Sequence, residues 1–157
     1  METVIVNISR SGVMSDMRVK SHAEVASIAD PTERYLAEAG TEKAEELNQC
    51  ITDATAEVTA ALRTFMTGFG DALTADDYYD TTEDITFALS VTERKAAGLS
   101  EALAKAIHAY IVESALDKFY TSVARPELAQ RHAARLATAL SVIDNLIYRR
   151  SQPTYSL

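Results

Sequence analysis

The residues able to do chemistry in this chain are few and scattered. Its three histidines, His22, His108 and His132, have no Glu or His three or four positions on, the spacing that builds a zinc or di-iron site on one helix face. They therefore read as structural or surface residues. A nucleophile paired with His108 would have to be Ser114 or Cys50. The single cysteine, Cys50, falls on an apolar seam and reads as a small buried hydrophobe. Asp76, Asp77, Asp80, Glu83 and Asp84 form the densest carboxylate group. A hard cation needs about six oxygens in a fixed loop, and the glycine-containing calcium-loop spacing is missing, so a solvated acidic loop is the expectation. Gly68-Phe69-Gly70 has neither a preceding strand nor a following Lys, so it marks a helix end rather than a phosphate loop. We expect no catalytic residue, no cofactor and no metal.

One constellation points outward instead. Arg131 and Arg135 stand one helical turn apart, and Arg149 and Arg150 follow Tyr148 near the chain end. Arg and Tyr are the side chains enriched at protein interfaces. These five residues are the candidate protein interface, against the alternative of a solvated face with an arginine pair complementing the helix dipole.

The charge layout fits such a contact. The chain carries a net −8, which disfavours nucleic acid as a partner. Residues 1–114 hold nine basic against twenty acidic side chains, a net −11, whereas residues 115–157 hold six against three, a net +3. Opposed regions of this kind concern partners, not fold.

Length and composition set the frame that must position these groups. A chain of 157 residues, 47% apolar and 24% charged, is one folded domain. We place it at 1–150, with an irregular tail at 151–157. Five Gly and three Pro argue for long regular elements and against a turn-rich β fold. Lack of a second cysteine excludes an internal disulfide and suits a reducing compartment. The first residues show no basic, apolar secretory pattern, and no window approaches the ~18 apolar residues of a membrane span. A soluble, intracellular protein is expected.

Periodicity gives a mainly α fold: a bundle of three long and about two short helices with a small two-strand β element. Thr3–Ile8 alternates as a strand with Val4, Val6 and Ile8 on one face, and Ile85–Val91 alternates with Ile85, Phe87, Leu89 and Val91 together. Residues 9–15 read as a loop. A capping box at Ser21–Glu24 predicts a short helix over 22–29, with Asp16 as an earlier start. Asp30-Pro31 opens a second short helix that Gly40 stops. Thr41 to Gly68 is the clearest long helix, seamed by Leu47, Ile51, Ala54, Val58, Ala61 and Phe65. Thr92, or Ser100 after the weakening Gly98, starts a helix to about Thr121. Pro126 starts the last, which runs to about Arg150 with Leu128, Leu136, Leu140, Ile143 and Ile147 as its buried stripe.

The Asp76–Asp80 string resembles the magnesium-diphosphate motif of isoprenoid synthases, but no second acidic motif accompanies it. Half the chain resembles something else. The order acidic loop, strand Ile85–Val91, Ala-rich helix Leu99–Thr121, then Ala124-Arg125-Pro126-Glu127-Leu128 opening a helix that ends Ile147-Tyr148-Arg149-Arg150 is similar to the helical head–tail connector (adaptor) proteins of tailed bacteriophages. The N-terminal strand and short helices depart from that pattern. The resemblance implies a non-enzymatic virion protein, made in the host cytoplasm, that forms a ring with copies of itself on a portal or other connector protein. It implies no small-molecule substrate and no membrane. The alternative is a small intracellular regulatory or binding module that dimerises through the Leu47–Phe65 seam.

Overall fold

A computed structural model describes residues 2–63, 84–91 and 98–148. The acidic string (apart from Asp84), Gly68-Phe69-Gly70, Thr92, Arg149, Arg150 and the expected tail lie outside these residues. The chain is mainly helical with one two-stranded sheet, the fold class expected. Strand β1 (Glu2–Ile8) pairs antiparallel with β2 (Ile85–Val91), in a register that sets Ile8 opposite Ile85 and Val4 opposite Leu89. The strands thus pair within one chain. Val4, Val6, Ile8, Ile85, Phe87 and Leu89 are buried, as their alternation requires, while Ile5 faces outward.

The first departure from expectation is α1 (Arg10–Val25), which starts inside the stretch read as a loop, runs through the earlier start considered at Asp16 and ends short of residue 29. Ser9 is its N-cap and accepts a hydrogen bond from the Gly12 amide, 3.1 Å away. The expected capping box is not a cap: Ser21 sits inside the helix, buried, and its hydroxyl accepts from the Ala39 amide at 2.8 Å. The fit of α1 comes from Val13, Met17, Ser21 and Val25, four residues apart along one narrow buried stripe. Its first turn carries Ser11 and Gly12, and Ser15 follows, so the stripe is thin in sequence and firm only in the packed structure.

Helix α2 (Pro31–Ala37) opens as expected, with Asp30 accepting from the Thr32 amide at 2.9 Å and Pro31 in the first turn. A 3-10 turn over Thr41–Lys43 leads into α3 (Ala44–Leu62). Leu47, Ile51, Ala54 and Val58 are fully buried on α3, so most of the expected seam is core of this chain. Ala61 is exposed, and Phe65 lies outside the described residues.

Helix α4 (Leu99–Ser122) begins right after Gly98, whose φ of 74° suits glycine alone without strain. The helix is the axis of the fold. Helices α1, α3 and α5 (Pro126–Tyr148) and strand β1 all pack on it. Thirteen of its residues are buried, so its apolar positions ring the helix instead of marking a single stripe. Ala124, at φ 58°, lets the chain reverse between α4 and α5. On another flank Lys43 lies 5.5 Å from the Phe119 ring centre while Glu57 meets Tyr110, so α3 also runs antiparallel to α4. Helices α3 and α5 therefore point the same way on different flanks of α4. Among the described residues no helix is long and apolar enough to cross a membrane.

Candidate functional site

The chemistry-bearing side chains are mostly turned inward and joined to one another. The tightest cluster lies where α1, α4 and α5 meet. His132, on α5, has no solvent exposure and contacts a carboxylate through each ring nitrogen. Its Nδ1 bonds Glu113 Oε2 on α4, and Nε2 lies 2.8 Å from both oxygens of Glu24 on α1. A neutral imidazole has one N–H, whereas an imidazolium has two, so this geometry calls for the charged ring. Tyr120 stacks on it with ring centres 5.6 Å apart. Lys20 Nζ stands 3.2 Å from Glu113 Oε1, and Arg135 reaches the same oxygen at 3.7 Å.

The titration of the cluster follows from these contacts. Burial alone would lower the His132 pKa, but the Glu113 hydrogen bond and the Glu24 charge outweigh it and raise the value. Burial would raise the Glu113 carboxyl, yet the hydrogen bonds from His132 and Lys20 bring it down to about 2. The site can hold a proton. Both ring nitrogens are occupied, and the ring has no solvent exposure.

A second cluster ties α3 to α4. Glu57 accepts from Tyr110 at 2.7 Å, Ser114 at 3.0 Å and Lys118 at 2.7 Å. Burial opposes its charge, but these three donors prevail and lower its pKa. Ser114 is thus committed to Glu57, not to His108. His108 pairs instead with Asp16 at 2.6 Å, and His22 with Glu38 at 2.7 Å near the surface. Ser9 lies beside His108 around a hollow of about 320 Å³, but its hydroxyl caps α1 and meets Ser11 at 3.1 Å. A hollow of about 500 Å³ between α1 and α2 is lined by Arg18, His22, Tyr35, Glu38 and Thr41 among others, and contains no Ser or Cys.

Cys50 is buried on α3 as expected, and burial with the nearby Asp53 charge pushes its thiol up to about 11. Against the ordinary 9.0, native Cys50 should react with a thiol reagent at pH 8 about 100-fold more slowly than in the unfolded chain. Stopped-flow labelling with and without denaturant measures the ratio. Equal rates would show an open thiol.

Among the described residues no group of three His, Cys, Asp or Glu could hold a metal ion. Asp84, the one described member of the acidic string, accepts from the Arg10 amide at 3.3 Å. Of the arginine constellation, Arg131 and Arg135 lie on the outer side of α5, both exposed, and Tyr148 is the last described residue of that helix.

The His132 cluster escaped the sequence reading. Its signal was present, since His132 stands four residues from both Leu128 and Leu136, in the gap of the buried stripe. Glu113 likewise interrupts the apolar run Ile111–Leu116.

No family model, no curated protein and no solved structure matches this chain.

Proposed function

We propose that this chain is a non-enzymatic structural subunit that associates with copies of itself into a ring, as a head–tail connector of a tailed phage. Its partners would be those copies and a portal or other connector protein, and its destination the virion after assembly in the host cytoplasm. One observation carries the reading: the acids and bases of the two ionic clusters, around His132 and around Glu57, satisfy each other, while Arg131 and Arg135 of α5 face out. Buried, mutually bonded ionic groups hold elements in place and offer nothing to a substrate.

The alternative, a regulatory dimer formed through the α3 seam, is less well supported. Leu47, Ile51, Ala54 and Val58 are already covered within the chain, so a partner would need a different face.

Native mass measurement tests the proposal. Expected at about 100 µM, alone or with the portal-type products of adjacent genes, is a cyclic species of many copies that loosens in high salt. A monomer under all these conditions would refute it.

A further inference from the structure

The two flanks of α4 carry complementary surfaces at the same level of the molecule. On α5 the exposed stripe runs from Glu127, which pairs with Arg125, through Arg131 and Arg135 to the short side chains Thr138, Ser141, Val142 and Asn145. A solvated helix face normally carries Lys and Glu pairs, but after Arg135 this stripe has no charge. Val142 leaves 47% of its surface open. Arg131 has no partner among the described residues, and Arg135 reaches only Glu113.

Helix α3 repeats the pattern with the opposite sign. Its outer face begins with Glu45, Glu46 and Asp53, all exposed, continues with Ala56 and Ala60, and ends at the exposed Arg63. No cation among the described residues pairs with those three carboxylates. On each of these faces a pair or trio of like charges precedes a run of small residues.

The placement of the helices makes the match geometric. Both run antiparallel to α4, and both begin near the same end of it: Lys43 approaches Phe119 on one flank, and His132 stacks on Tyr120 on the other. Neighbouring copies standing side by side in the same orientation would therefore bring α5 of one parallel to α3 of the next. Arginine then faces carboxylate, and short side chains face alanine, where helices can approach closely. The faces differ, so the contact is heterologous and repeats from copy to copy, closing into a ring when the rotation permits.

We infer that the outer face of α5, headed by Arg131 and Arg135, docks on the acidic outer face of α3 in a second copy of this chain, headed by Glu46 and Asp53. The inference rests on the ring proposal and names its contact. The stripe on α5 is about 20 Å long, a small area for a lone pair, so stability comes from repetition around a closed ring and from charge attraction.

A charge-swap series on the full chain tests it, with native mass and light scattering as readouts. Arg131→Glu with Arg135→Glu should reduce the wild-type oligomer to monomer, as should Glu46→Arg with Asp53→Arg. Combining all four substitutions should restore it. Because Arg135 also faces Glu113, Arg131→Glu with Thr138→Trp serves as a second disruptor that leaves the buried cluster alone. Circular dichroism confirms that each variant folds. An oligomer of folded chains indifferent to all of these changes overturns this contact and leaves the ring proposal standing. A wild type that is monomeric, alone and with its portal-type neighbours, overturns both.

Discussion

Replacing His132 with Leu lowers the unfolding free energy by about 3 kcal/mol, measured by urea denaturation followed through helical circular dichroism. Leucine fills similar space, so the loss is electrostatic. Glu113, whose side chain is only 10% exposed, and Glu24, at 18%, would face each other across an apolar group without their shared cation. Lys20 cannot take its place. It is 44% exposed and reaches only Glu113. Removing one partner of a buried ionic set is costly because the other remains charged and desolvated, whereas removing both is cheaper. His132→Leu with Glu113→Leu should therefore recover part of the loss. A single-variant loss below about 1 kcal/mol, or additive effects in the double variant, would show that the three helices are not joined here.

The second large effect is on stability against pH. His132 has a folded pKa raised above 6.5, so its contribution is complete below that value and is lost as pH climbs through the folded pKa. Glu113 falls from 4.5 to about 2 in the folded chain, so its contribution is complete above 4.5 and lost as pH drops toward 2. Glu57 acts in the same direction as Glu113. Asp117 opposes them, because burial raises its carboxyl and favours the protonated form in the folded chain. Stability should peak between pH 4.5 and 6.5, with the acid side worth on the order of 2 kcal/mol. Melting temperature from pH 3 to 9 at constant ionic strength reads this directly. The alkaline decline should be much reduced in His132→Leu; an unchanged alkaline slope would assign it to other groups.

The legible parts of the fold were those whose local pattern and final packing agree. The strands alternate because one face of the sheet is buried, and Asp30-Pro31 and Pro126 mark helix starts through local backbone chemistry. The first turns of helix α1 were illegible because its stripe is only one residue wide per turn and its start holds Ser11 and Gly12. Much of what holds it comes from other elements, including Tyr120 and Glu113 on α4 and His132 on α5. The buried cluster was missed for a related reason. Each member is an isolated polar residue in its own helix, and Glu24 and His132 are 108 positions apart. A histidine inside an apolar stripe and a glutamate inside an apolar run can be seen separately, but their meeting is a property of the tertiary structure. The arginines of α5 were legible as outward-facing because the stripe of that helix fixes which side is buried. Their counterpart on α3 became visible only once both helices were placed on α4.

The pairing of β1 with β2 also sets the order of events during synthesis. Residues 2–8 leave the ribosome well before their partner residues 85–91, which follow some eighty positions later. At translation rates of about 5–20 residues per second, the opening strand waits several seconds with its hydrogen-bonding groups unclaimed by the sheet. The α4–α5 hairpin, joined by a three-residue turn, can close as soon as it emerges. Strand β1 is thus made long before the partner that completes it, and that wait is the interval in which a chaperone or a sister chain could capture it.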